Sequence, residues 1–232
     1  MRRRKPPAAP PPVPFSPAAA RAHRAALGLT PEQVAEGLAA HGVRLLPAHV
    51  LAWEDGELRP SEPEFIALAR ALWCPAAQLM DPRPVRLRDH RVARELGQAA
   101  VAERTGTTLD SYRQAELTDR WDGDEEQTRA LAEVLGLDLP ELVEATGRRE
   151  ALDHLLRQCV TGRWQPHLRA LARIVPAPAD TLAEALAALH QEHHVPTHWG
   201  ATARTAPPPA TDSLTPRFWH LLATASATGP NS

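Results

Sequence analysis

Lysine is nearly absent from this chain: Lys5 stands alone, and the other 25 basic residues are arginines. Cysteine occurs only at Cys74 and Cys159. The two lie far apart in separate blocks, so they read as small buried apolar residues of a reducing cytoplasm, not as a disulfide. Tyrosine occurs once. There is no phosphate loop and no serine, histidine and aspartate set at a recognisable spacing. This points away from an enzyme, and no cofactor is expected. Long apolar runs are missing, so no segment reads as a membrane span. Alternating β-branched runs are missing too, which argues against a sheet. Excess charge of either sign is also lacking. The net charge is −2 and the isoelectric point about 6.6. That is no basic footprint, and it counts against strong nonspecific binding to DNA.

What is present is a globular composition, with 43% apolar and 23% charged residues in 232. That length suits one large domain or two or three small ones. The 24 prolines cluster toward the two ends. Residues 1–18 hold seven of them between Pro6 and Pro17. This predicts a disordered basic arm, read either as a solvated tail or as an arm whose Arg2 to Lys5 meet phosphates. The start resembles the charged end of a signal peptide. Prolines and alanines follow instead of an apolar core, so export is not expected.

The most informative stretch is residues 87–142. Val101 and Ala102 give one short helix a buried face, Gly106 suits a turn with positive φ, and Thr108 is a good N-cap. The next segment carries Tyr112 on its inner face. This is a helix-turn-helix pattern, whose second helix can enter a major groove. The spacing from Arg91 through Gln98, Val101, Ala102, Gly106 and Thr108 to Glu116 resembles the DNA-binding domain of phage repressors and Cro proteins, the XRE family. Ala132, Leu135, Gly136, Leu137, Glu141 and Leu142 resemble that family's closing helices.

The resemblance implies an all-α chain of two tandem lambda-repressor-like domains plus a helical C-terminal block. The first domain, residues 19–82, repeats Arg24, Val34 and Ala35 at 67 residues before Arg91, Val101 and Ala102. Thr30, Pro31 and Gln33 mark a helix start, with Thr at the N-cap and Gln three residues on. Trp53, Glu54 and Gly56 are further family features. Ala35 to Glu54 spans 19 residues, against 14 from Ala102 to Glu116. The five extra residues predict a longer turn between the two helices. The first domain's reading helix would show Pro47, Ala48 and Ala52, none of which can hydrogen-bond a base edge through its side chain. Thr30, Gln33, Ala48, His49 and Ala52 are therefore the weaker DNA-contact candidates. Residues 25–82 carry 3 arginines and 8 acids. That balance suits a scaffold or a protein-partner surface.

The second domain, residues 83–147, is the expected reader. Gln98 stands at the family's glutamine position, and Thr108, Leu109, Asp110, Ser111, Arg113 and Gln114 face or flank the groove. Arg88, Arg91 and Arg94 precede them as candidates for phosphates. Gly97 replaces the usual Ser or Thr cap, a small loss. This domain sums to 9 arginines and 14 acids, most of the acids falling after Glu116. The family also implies that Arg24 pairs with Glu54 and Arg91 with Glu116. The link over residues 81–84, with Pro82 and Pro84, is short and stiff, so the copies should pack together.

Residues 148–200 predict three amphipathic helices, from Leu152, Leu155, Leu156 and Cys159, then Leu168, Leu171, Ala172 and Val175, then Leu182, Ala185, Leu186 and Leu189. They cap the preceding domain or form a homodimer interface. His190, His193, His194 and His198 crowd the end of this block, and His190 and His194 share a face. No cysteine or carboxylate completes a ligand pattern, so they read as unliganded surface histidines and no metal is expected. Residues 201–232 predict a mostly disordered tail. One apolar turn at residues 217–222, anchored by Trp219, could dock on the body or on a partner. The leading functional expectation is a sequence-specific regulator bound to double-stranded DNA. The alternative is a protein-interaction module on the same scaffold that does not read DNA.

Overall fold

Helix starts are written plainly into this chain. Pro17, Pro31, Pro47 and Pro63 each fall in the first turn of a helix, where a missing N–H does no harm. Thr30, Asp124 and Asp138 each accept a hydrogen bond from the backbone N–H three residues on, and Gln33, Gln127 and Glu141 return the contact. These reciprocal caps satisfy donors that a helix start leaves open. The computed structural model describes residues 12–193 and 214–228. Every regular element among them is helical, with no strand. None of these helices is long and apolar enough to cross a membrane.

Two compact units divide the chain: Met1–Glu103 with Thr108–Asp119, and Arg104–Thr107 with Arg120–Ser232. The first holds α1 (Pro17–Ala26), α2 (Pro31–Ala40), α3 (Pro47–Glu54), α4 (Glu62–Ala71), a 3-10 turn at Ala76–Leu79, α5 (Leu87–Ala93), nearly all of α6 (Gln98–Arg104) and α7 (Leu109–Thr118). Its core joins Val34, Leu38, Val50, Trp53, Phe65 and Leu68 to Val92 of α5. The 81–84 link therefore runs within one unit, and the sequence-based border at residue 82 does not separate two cores.

Residues 12–18, expected as part of a disordered arm, are packed instead. Val13 and Phe15 are buried in the same core, and the Phe15 ring meets Phe65 edge-on at 6.2 Å. The Ser16 N–H donates to the Leu79 carbonyl at 2.8 Å. Over 12–16 the prolines exclude helix but not an extended strap that buries alternate side chains, and Pro17 and Ala18 already begin α1. Arg2 and Lys5 lie outside the described residues.

The second unit holds α8 (Glu125–Leu135), α9 (Leu139–Ala145), α10 (Arg149–Thr161), a 3-10 turn at Gln165–His167, α11 (Leu168–Ile174), α12 (Ala179–His193) and α13 (Leu214–Thr228). Its core includes Val143, Leu152, Leu156, Leu171, Leu186 and Phe218. The three amphipathic helices expected over 148–200 correspond to α10, α11 and α12. A tail expected to be mostly disordered instead contributes the 15-residue α13. Leu214, Phe218, Leu222 and Ala225 form its buried seam, and Phe218, not the half-buried Trp219, is the anchor. Spacing of three and four along a helix explains the seam.

Arg148 ties this unit together without a carboxylate. Its five N–H donors reach the carbonyls of Trp121, Gly123 and Arg173 and the Thr128 hydroxyl. Burial lowers its basicity, and only the charge of Asp122 opposes that. The Trp121 indole N–H donates to Thr128 at 2.9 Å. A Cβ at Gly123 would sit 2.6 Å from the Trp121 ring, so glycine is required there.

Candidate nucleic-acid interface

The candidate interface is built from α5, α6 and α7. The chain leaves α5 through Glu95, whose φ of +55° turns it toward α6. Gly97 begins α6 by accepting from the Val101 N–H at 3.2 Å. Val101 and Ala102 are buried. Four residues, 105–108, then lead into α7, with Gly106 at φ +67°. Thr108 caps α7 by accepting from the Ser111 N–H at 3.1 Å, and the two hydroxyls lie 2.8 Å apart.

α7 has two faces. Tyr112, Ala115 and Glu116 are buried. Thr108, Asp110, Ser111, Arg113 and Gln114 are exposed, and Leu109 is half-buried. The Gln114 carbonyl accepts from the Thr118 hydroxyl, a contact that does not use the Gln114 side chain. Arg113 lies 3.6 Å from Asp110. Gln98 turns inward: its amide donates to Glu116 at 2.6 Å and its amide oxygen accepts from Arg113 at 3.4 Å. It braces α6 against α7 and does not stand clear for a base edge.

Behind α7 lies a saturated guanidinium. Arg91 has five N–H donors. Nε reaches Glu116 at 2.5 Å, and one terminal nitrogen reaches Glu62 at 2.6 Å and the Leu96 carbonyl at 2.8 Å. The other terminal nitrogen reaches Glu116 at 3.1 Å and Glu62 at 3.2 Å. Burial alone would make Arg91 easier to deprotonate. The hydrogen bonds and charges of Glu116 and Glu62 outweigh it and hold Arg91 above the ordinary arginine range. Burial first, then the Glu116 charge, pushes the Tyr112 hydroxyl well above its usual range.

Arg91 is thus removed from the phosphate candidates, because its side chain is 1% exposed and every donor is used. Arg88 is largely withdrawn too, donating to Glu62 at 3.1 Å. Arg94 remains exposed.

The first repeat carries the same clamp. Arg24 donates to the two oxygens of Glu54 at 2.6 and 2.7 Å, and to the Leu29 carbonyl at 3.0 Å. Hydrogen bonding to Glu54 is the main reason its basicity is raised. Arg21, one turn earlier, donates to the Glu54 carbonyl at 3.0 Å and to Asp55. Thr30 and Gln33 are occupied with each other in the α2 cap. On α3, Ala48 and Leu51 are exposed, and Pro47, His49 and Ala52 are half-buried. Leu51 thus joins the outer face, where Pro47 and Ala52 had been expected. The five additional residues do not all lengthen the turn. Three extend α2, which has 10 residues against 7 in α6, and two lengthen the connection, 41–46 against 105–108.

Sequence reasoning missed Glu62, Arg21 and Arg148. The 67-residue offset that aligns Arg24 with Arg91 also aligns Arg21 with Arg88, and was a usable signal. Among the described histidines, the His190 ring donates to the Cys159 carbonyl at 2.9 Å, and His193 to Leu189 at 2.9 Å. His194 and His198 lie outside the described residues. No protein-family model, no curated protein and no solved structure matches the chain.

Proposed function

We propose that the chain is a non-enzymatic, sequence-specific transcriptional regulator of the XRE type, bound to double-stranded DNA as a homodimer in the cytoplasm. On this reading two tandem lambda-repressor-like helix-turn-helix domains act unequally, and the second domain reads the bases through α7. The observation that carries the reading is the two-faced character of α7. One side is clamped by Arg91, and the other offers Thr108, Asp110, Ser111, Arg113 and Gln114 to solvent. Such a face can lie in a major groove while the buried face fixes its register. The Gln114 amide offers a donor and an acceptor, which match adenine N6 and N7. Arg94 is the arginine of α5 and its C-cap that best suits a phosphate.

The test is binding across a randomised duplex library at two salt concentrations. Wild type should select a sequence, and Gln114→Ala should lose about 1–3 kcal/mol on it and relax one base pair. Arg94→Ala should weaken all sites alike and flatten the salt slope by about one unit. Wild type without a preference would remove the DNA reading. A second reading, a protein-interaction module that does not read DNA, is favoured by the first repeat. There α3 exposes Ala48 and Leu51, whose side chains carry no hydrogen-bonding group. The first domain or α13 would then carry the partner.

A further inference from the structure

The first repeat's own reading face is apolar, yet its fourth helix reaches into the second repeat's clamp. Glu62, the first residue of α4, presents both carboxylate oxygens to Arg91 and one of them to Arg88. A second contact runs the same way: Arg70 of α4 donates to Glu95, just beyond α5, at 2.7 Å. Val92 of α5 lies in the first repeat's apolar core. On the first clamp Arg24 meets one carboxylate, Glu54, and one carbonyl, that of Leu29.

We infer that Glu62 is a positioning residue for the reading helix α7, acting through Arg91, so that the first repeat serves as a scaffold for base reading by the second. This rests on the DNA-reading role proposed for α7. Without Glu62, Arg91 would keep Glu116 through Nε and one terminal nitrogen and the Leu96 carbonyl through the other, the same set that leaves Arg24 partly exposed. Glu62 engages both terminal nitrogens from a different helix. Two carboxylates on one planar fork fix its orientation as well as its place. Glu116 rides on that plane and lies two residues after Gln114, so α7 inherits the constraint. The charges also favour this arrangement, since Glu62 and Glu116 together face Arg88 and Arg91. Burial opposes the charge on Glu62. Its hydrogen bonds to Arg91 and Arg88 nevertheless hold its carboxyl below the usual range.

The test uses the full chain with Glu62→Gln, which keeps shape and removes charge, and Glu62→Asp, which keeps charge and shortens reach. Arg91 retains Glu116 in both, as Arg24 retains Glu54, so the fold should persist. Glu64→Ala is the control: it removes the contact to the Ser61 N–H at the same helix start but touches neither clamp. Two readouts are needed. The first is NMR of the Arg91 Nε–H and of the α7 amides, without DNA. The second is base preference and salt slope on the randomised library. Glu62→Gln should speed exchange at Arg91 Nε–H and shift the α7 amides. It should lower the preference for the best site on the order of tenfold, the effect of losing charged hydrogen bonds. The salt slope should stay put, and Glu62→Asp should recover part of the preference. Glu64→Ala should change stability alone.

Unchanged Arg91 exchange in Glu62→Gln overturns the inference whatever the DNA result. Faster exchange with an unaltered preference also overturns it, leaving Glu62 a purely structural contact. A wild type without preference sinks the DNA reading. The NMR arm then decides positioning by itself: moved α7 amides uphold it and unmoved ones overturn it.

Discussion

The two repeats close their first and third helices with one device and enclose it differently. In both, an arginine grips a glutamate at the end of the third helix through two nitrogens and reaches the carbonyl five residues on. In the first repeat Arg24 stays 18% exposed and uses three donors. In the second Arg91 is 1% exposed and uses five, the extra two on Glu62. The clamp that orients an apolar α3 is left partly open to water. The clamp behind the polar face of α7 is sealed and braced by a second carboxylate. A clamp is thus a common folding device, whereas its second brace goes with the helix whose outer face is polar.

The comparison is broken most severely by deleting each arginine. Arg91→Ala leaves Glu116 buried with its main partner gone and should cost about 3–5 kcal/mol of unfolding free energy. Arg24→Ala should cost less, about 1.5–3 kcal/mol, because Arg24 is itself partly exposed, makes fewer hydrogen bonds, and leaves Arg21 beside Glu54. Urea denaturation of both variants checks the order. Equal losses would mean that the second brace adds nothing.

Acid should act on Glu62 and Asp89 in opposite directions. The folded pKa of Glu62 lies below its unfolded value, so its contribution is complete above about pH 4.3 and is lost as pH falls through the folded pKa. Asp89, at the start of α5, goes the other way. Burial raises its pKa despite the backbone hydrogen bonds it accepts, so protonation favours the folded form. Glu62→Gln should therefore flatten the fall in stability below about pH 4.3, and Asp89→Asn should steepen it. Urea midpoints across the acid range check both slopes. Parallel profiles for the two variants would contradict the assignment.

The clamps were legible only through the resemblance, which pairs a first-helix arginine with a glutamate in the third helix; the 67-residue offset relates Arg24 to Arg91, but their glutamates lie 30 and 25 residues on. Glu62 was not legible. An acid at a helix start ordinarily reads as a first-turn residue favoured by the helix dipole, and nothing local shows that it faces another repeat. Gln98 was read as a DNA contact from its place in the motif. Its side chain turns inward because the Glu116 carboxylate is a stronger acceptor than water offers in a half-buried site. Val13 and Phe15 were hidden by surrounding prolines, which signal the absence of helix but not the absence of packing. The extension of α2 follows from Ala39 and Ala40, which continue a helix until Gly42 allows the turn at φ +84°.

The smallest expected effect lies where the two repeats solve the same backbone problem with different residues. Each first helix ends in a left-handed residue, Gly28 at φ +66° and Glu95 at φ +55°. Their N–H groups bond alike, to Ala25 and to Val92 three residues back. Nothing lies within 4 Å of a Cβ placed on Gly28. Gly28→Ala therefore meets no clash, and strain at positive φ, offset in part by a stiffer unfolded chain, should cost about 1 kcal/mol. Glu95→Gly removes that strain, worth about 1–2 kcal/mol. It also loosens the unfolded chain by about 0.5–1 kcal/mol and deletes the Arg70 ion pair. Arg70 is half exposed, so the pair contributes about 0.2–1 kcal/mol. These terms nearly cancel, and the net change should fall within about 1 kcal/mol of zero. Salt separates them: wild type should lose a little stability between low and high ionic strength, and Glu95→Gly should lose less. Urea midpoints at two salt concentrations, with slopes unchanged, give the answer. A large loss in Glu95→Gly at both would mean that the Arg70–Glu95 contact holds α5 against α4 far more strongly than an exposed pair can.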